Sequence, residues 1–338
     1  MRILYLEYLR LIASIAVIAI HVISRASYVL GNDINSNLSV FLTAISMDAF
    51  FRFCVPIFFM ISGSLILKKD NLDIKKFLIS RFKRIVIPVI IWGYAYSFWF
   101  NRTFTFAEHT RNVLLGNGFY HLWFLYSIIG LYLATPIIFK FVKNSKKSEI
   151  ELMLIIGVIF NTLIPVISKY FYVDLGYVLN LNYVSGYMIY FILGYYLYEY
   201  DLKMFNSKLK SVIIYILSTV IIIFFTLKTS IVQGAQEMLF IHYSWILVFI
   251  QSISIFTLFK QIEFKNSFVT KVSSLFMGVY ILHIFILEGY QNMWNIDYFK
   301  LEVSKYLLYI VLGIIYIYIV TVAISYLLKK TPVIKNIL

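Results

Sequence analysis

The chain has 338 residues, 61% of them hydrophobic and only 14% charged, with a mean hydropathy of +0.84. That balance excludes a water-soluble domain and indicates a polytopic membrane protein. The formal net charge of +14 would ordinarily suggest nucleic acid, but its placement in short loops accounts for it, and no nucleic-acid partner is expected.

A membrane span needs about 20 mostly apolar residues. Ten candidates follow in chain order, near 8–30, 40–67, 84–100, 120–140, 151–169, 183–199, 211–228, 239–259, 275–293 and 306–328. The loops between them alternate in charge. One set carries Lys68, Lys69, Lys75, Lys76, Arg81, Lys83 and Arg84, then Lys140, Lys143, Lys146 and Lys147, then Lys203, Lys208 and Lys210, then Lys260, Lys265 and Lys271. Arg2, Lys329, Lys330 and Lys335 join that set, whereas Gly31–Ser39 has no Lys or Arg. Short basic loops stay in the cytoplasm, so both termini are expected inside. The fold class is thus all-α, a transmembrane helical bundle of about ten spans forming one domain over 1–338. No soluble domain is expected beyond it. The single cysteine, Cys54, is expected to pack, and excludes an intramolecular disulfide or a cysteine metal cage. The first apolar stretch is too long, and lacks a cleavage site, for a signal peptide.

The first span carries the most chemistry. At about 100° per residue, Glu7, Arg10, Ser14, His21, Ser24 and Tyr28 fall within roughly 60° of one helix face. Arg10 and His21 are close to three turns apart, roughly 16 Å along the axis. Charged groups within a bilayer are costly and mark a pathway or site. With the N-terminus inside, Arg10 lies near the cytoplasmic end and His21 past the midplane. The spacing suits a long ligand whose anionic group is held by Arg10 and whose reactive end reaches His21. Arginine binds phosphate in bidentate fashion, and histidine titrates near neutrality, as a general base must. The competing reading is that both satisfy neighbouring helices.

The second span contains Asp48 and Arg52, one turn apart and able to pair. Asp48 then orients His21, or Arg52 stabilises developing negative charge, or the two form a structural ion pair. Pro56 cannot donate to the Arg52 carbonyl, so a kink is expected there. Residues 71–84 read as a basic amphipathic helix on the inner surface, with Ile74, Phe77, Leu78, Phe82 and Ile85 at helical spacing. Arg81, Lys83 and Arg84 end it, as contacts to the phosphates of a cytosolic ligand or as positive-inside charge. His121 opens the fourth span in His121-Leu122-Trp123-Phe124, a second polar group at an outer site or an interfacial histidine. His283, mid-span in Tyr280-Ile281-Leu282-His283, needs a partner. The reading taken is structural, a bond to a neighbouring helix. His109 and His242 are assigned no role, and no metal site is expected.

On these residues the chain resembles the acyltransferase-3 family of bacterial membrane acyltransferases. The opening Glu7-Tyr8-Leu9-Arg10 with His21, the block Pro56-Ile57-Phe58-Phe59-Met60-Ile61-Ser62-Gly63, and Arg81-Phe82-Lys83-Arg84 with Pro88 match it in order. So do the His121 and His283 blocks. Glu7 stands where Asp is commoner, a change that keeps the charge, and the extra esterase-like domain of many relatives is not expected here.

The resemblance implies a multi-pass protein of the bacterial plasma membrane. It implies transfer of an acyl group, commonly acetyl, from cytosolic acyl-CoA to a hydroxyl of a surface glycan or its lipid-linked precursor. Acetyl-CoA would be the co-substrate, with no metal, and the other partners would be the glycan and membrane lipids. His21, Asp48, Arg52 and His121 form the expected catalytic set. Arg10, Ser14, Arg81 and Arg84 are the expected coenzyme contacts. His21 serves as base or takes the acyl group itself; the base role is preferred because direct transfer needs no intermediate. The rival functions are a transporter or flippase using the same stripe, and a non-catalytic scaffold.

Overall fold

A computed structural model describes residues 3–171, 186–266 and 268–331. Arg2, Lys335 and positions 183–185 of the expected sixth span lie outside the described residues. The protein is all-helical, 80% helix, with no strand among the described residues. Among the described residues six helical stretches are long and apolar enough to cross a membrane: Leu4–Leu30, Ile34–Leu67, Tyr120–Asn144, Lys147–Ser168, Lys208–Gln233 and Val303–Lys329. The span expected near 239–259 falls on a shorter apolar helix, Ile246–Lys260.

Helix α1 (Leu4–Leu30) is the hub. It packs on α2 (Leu38–Phe51), α3 (Cys54–Leu67), α11 (Ile246–Lys260), α12 (Val269–Ser273), α13 (Phe276–Trp294) and α14 (Val303–Lys329). Small residues allow this crowding: Ala13, Ala16, Ala19 and Ala26 are fully buried along it. In lipid there is little hydrophobic drive between helices, so close backbone approach supplies the attraction. The tightest case joins α3 to α9 (Met188–Glu199). A Cβ on Gly63 would lie 1.7 Å from the Phe191 carbonyl oxygen, and one on Gly194 would lie 2.0 Å from that of Met60. Ser64 Oγ spans the same contact to the Gly194 carbonyl at 2.7 Å.

Tyrosine has a second structural use besides the membrane interface. Tyr96, Tyr190, Tyr215, Tyr280, Tyr290 and Tyr306 each donate a hydroxyl to a backbone carbonyl of another element. A buried phenol needs an acceptor, and a helical carbonyl has a second lone pair to give.

The surface helix forms as α4 (Ile74–Arg81), capped by the Asp73 side chain. It runs through a π-turn at Phe82–Val86 into α5 (Ile87–Phe100). The extra residue per turn rotates the following face. Phe77, ahead of the turn, and Ile85, within it, are buried, whereas Phe82 faces out. Helix α6 (Phe106–Leu114) is stopped at its start by a reciprocal capping box between Thr105 and Glu108. Bonds from Thr105 hold the Glu108 carboxyl below its usual range.

Helices α7 (Trp123–Asn144) and α8 (Lys147–Phe171) pack against α3 and α9. Helix α10 (Lys208–Gln233) pairs with α11 and ends on Gly234 at φ 67°, a left-handed cap. The turn beyond it closes onto the end of α1, where Gln236 N–H donates to the Gly31 carbonyl at 2.8 Å.

Candidate active site

The second span breaks where the sequence predicts a kink. Helix α2 ends at Phe51, and α3 restarts at Cys54, with Arg52 and Phe53 between them. Pro56 removes the donor that would continue the ladder. Freed carbonyls must find other partners, because a broken helix in a membrane survives only against protein or a cavity. Gln251 Nε2 on α11 donates to the Ala49 carbonyl at 3.0 Å, and Tyr215 on α10 donates to the Phe50 carbonyl at 2.5 Å. Sequence reading passed over Gln251, although a lone amide in an apolar helix signals such a duty.

The break delivers Arg52 to a cavity. Its guanidinium donates to Asp48 one turn back, and both are buried. It also lies 5.5 Å from the centre of the Tyr243 ring. Asp48 Oδ2 is taken by Arg52 and Oδ1 has no partner, so Asp48 makes no hydrogen bond to His21. The expectation that Asp48 orients His21 is therefore corrected: the nearer cation has claimed the carboxylate.

Three imidazoles meet at this depth. The His283 ring centre is 5.1 Å from that of His21 and 5.3 Å from that of His121. His121 and His283 are almost fully buried, while His21 keeps access to open space. His283 Nδ1 bonds the Tyr280 carbonyl of its own helix at 2.6 Å. It does not bond a neighbouring helix, which corrects the structural reading of that residue. Its position mid-helix on a face turned to α1 made it a member of the cluster instead. Tyr280 in turn donates its hydroxyl to the His121 carbonyl and so fixes the start of α7.

Two adjoining cavities share His21, Ser24, Arg52 and Tyr120. The deeper one, about 250 Å³, reaches Val17, Cys54, Phe58, His121 and Tyr280. The wider one, about 630 Å³, adds Arg25, Asp48, Gln236, Glu288 and Gln291. His21 thus stands at the junction of a smaller pocket and a wider vestibule. The lining of these cavities descends along α1 to Val17. Below that, Ser14 is buried and donates back to the Leu11 carbonyl at 2.6 Å. Arg10 is part-exposed and paired with Glu7 at 2.7 Å, and Glu7 also accepts from Ser273 on α12.

Arg81 and Arg84 are carried elsewhere. Helix α4 and the π-turn pack on α7. Arg81 lies over the Phe77 and Tyr132 rings at 5.2 and 5.0 Å, beside an apolar cavity of about 290 Å³. Arg84 is exposed. The structure therefore joins His21, His121, Asp48 and Arg52 around one space and leaves Arg10, Ser14, Arg81 and Arg84 away from it. Tyr120, Tyr243, Gln236, Glu288 and Gln291 were not legible beforehand, because loops and distant spans bring them in. His109 bonds Ser97 at 2.7 Å and His242 bonds Ser244 at 2.7 Å, outside the cluster. Among the described residues no group of His, Cys, Asp and Glu is arranged to hold a metal ion.

A bundle of membrane-length helices around a buried, imidazole-rich cavity defines an integral-membrane protein. The family model described as an acyltransferase domain matches residues 3–326, nearly the whole chain. The chain belongs to this acyltransferase-3 family, which supports a membrane acyltransferase activity. No curated protein and no solved structure matches it.

Proposed function

We propose that the protein is an O-acyltransferase of the bacterial plasma membrane, using cytosolic acetyl-CoA to acylate a hydroxyl of a surface glycan or its lipid-linked precursor. The observation that carries this reading is the placement of His21 at the meeting of the deep pocket and the wider vestibule. The deep pocket suits the acyl end of a thioester. The vestibule, with Arg25, Gln236, Glu288 and Gln291, suits a polyhydroxylated acceptor.

In this scheme Arg10 holds a coenzyme phosphate, and Arg81 and Arg84 draw the anionic donor to the inner surface. To reach His21 the pantetheine arm must run roughly 16 Å along α1, which requires the helices packed over Ala13, Ser14 and Ala16 to part. His21 removes the acceptor proton as the hydroxyl oxygen attacks the thioester carbonyl. The C–S bond then breaks, and the proton passes to the departing thiolate, giving the ester and free coenzyme. The buried Arg52 and His121 flank the developing oxyanion, where a preorganised cation acts most strongly.

The test is turnover of labelled acetyl-CoA by purified protein. His21→Ala should remain folded and inserted and lose glycan acetylation. Wild-type acetylation in that variant would overturn the proposal. A carrier moving solutes along the same stripe would neither bind nor consume the coenzyme.

A further inference from the structure

Two carboxylates, Asp48 and Glu288, line the wider cavity, and they differ in what they have left to offer. Asp48 is held by Arg52. Glu288, in the last turns of α13, forms no ion pair and no side-chain hydrogen bond among the described residues. Gln291 lies one turn further along the same face of α13, and its amide likewise bonds no protein group among them. An ionised carboxylate can only accept, so Glu288 is satisfied by donors that enter the cavity. An unpartnered charge within a bundle of membrane-length helices is costly and marks a site.

The surroundings narrow the choice of donor. Across the cavity His21, Arg25 and Tyr28 share one face of α1, so the space runs roughly 10 Å outward from the imidazole. Tyr120 is exposed at the junction of both cavities and sets an aromatic ring beside His21, their centres 5.6 Å apart. A sugar ring fits this lining. Its apolar C–H face packs on an aromatic ring, and its rim of hydroxyls donates to a carboxylate and accepts from amides. A polyol phosphate lacks the flat apolar face, and an acidic sugar sets its own charge against Glu288. Arg25 is the opposing charge, but it is exposed, and solvent screens it more than the half-buried Glu288.

We propose that Glu288 is the specificity-determining residue of the acceptor site: its carboxylate accepts protons from two neighbouring hydroxyls of a neutral sugar ring packed on Tyr120, while a further hydroxyl meets His21. The inference rests on the reading of the protein as an O-acyltransferase and names its acceptor class, an uncharged hexose with adjacent free hydroxyls. It also gives the unpaired charge on α13 a purpose.

The experiment compares acetylation of soluble methyl hexosides, their monodeoxy analogues and the matching methyl uronosides by purified full-length protein. Wild type should favour the neutral glycosides over the uronosides by at least about tenfold in kcat/KM, and should lose about tenfold to a hundredfold with the deoxy analogue that lacks a Glu288 contact. Glu288→Gln should raise the KM for the neutral glycoside by a similar factor and leave the KM for acetyl-CoA little changed. It should no longer discriminate against the uronoside, and Glu288→Lys should prefer it. The glutamine variant, which is nearly isosteric, decides the matter where the lysine variant does not fold. An unchanged neutral-to-uronoside ratio in Glu288→Gln, or a wild type that acetylates no neutral glycoside, overturns the inference. Failure of the underlying reading looks different: no labelled acetyl group then reaches any acceptor, a glycan-bearing membrane fraction included. Acetylation of that fraction that depends on His21, with the glycosides ignored, rejects only the role of Glu288.

Discussion

The Arg52 guanidinium grips the Asp48 carboxylate at the point where the second span comes apart, and both groups are buried. Such a pair is held by mutual need more than by net attraction. Removing one partner strands the other charge at a cost of about 3–5 kcal/mol, whereas replacing both with apolar side chains of similar size is far better tolerated. Arg52→Leu should therefore lower the melting temperature of the purified protein sharply. The double variant Asp48→Leu with Arg52→Met should recover most of that stability and still fail in acetylation. A single variant as stable as wild type would show that the pair is solvated and not structural.

The contact between α3 and α9 makes a second prediction about assembly. Gly194→Ala would put a methyl group 2.0 Å from the Met60 carbonyl oxygen, so one helix must move. Overpacking of that kind typically costs about 1–3 kcal/mol and here opposes backbone, which yields least. Gly289→Ala is the control, because nothing lies within 4 Å of the added methyl. Thermal unfolding in detergent should separate them, with Gly194→Ala strongly destabilised and Gly289→Ala at least as stable as wild type. Equal melting temperatures would mean that the two helices are not in backbone contact.

The residues differ in how far their roles could be read in advance. Local rules carried the Asp48–Arg52 pair and the break before Pro56, because both depend on neighbours within one or two turns. The face of α1 was legible for the same reason: helical periodicity sets it. What local rules cannot supply is the partner across a gap. His283 needs a polar neighbour by any physical argument, but only packing shows that its ring lies beside those of His21 and His121. The π-turn at Phe82–Val86 has no sequence signal as plain as proline, and it moved Phe82 out of the apolar face. The polar stripe predicted a groove from Arg10 to His21, whereas the cavity lining descends only to Val17. Small residues explain the difference, since Ala13, Ser14 and Ala16 let neighbouring helices close over α1.

That closure makes the role of Arg10 separable from the chemistry. Arg10 is anchored by Glu7 and part-exposed, so it can meet a phosphate without opening the bundle. A charge-assisted bond of this sort contributes about 1.5–3 kcal/mol, or roughly ten- to a hundredfold in kcat/KM. Arg10→Gln should lose that much with acetyl-CoA. It should lose little with a truncated acetyl thioester that keeps the reacting carbonyl and lacks the phosphates. His21→Ala should fail with both donors, because its part is at the carbonyl. If Arg10→Gln impairs the truncated donor equally, Arg10 supports the fold of α1 and does not bind the coenzyme, and the anion site must be sought at Arg81 and Arg84 instead.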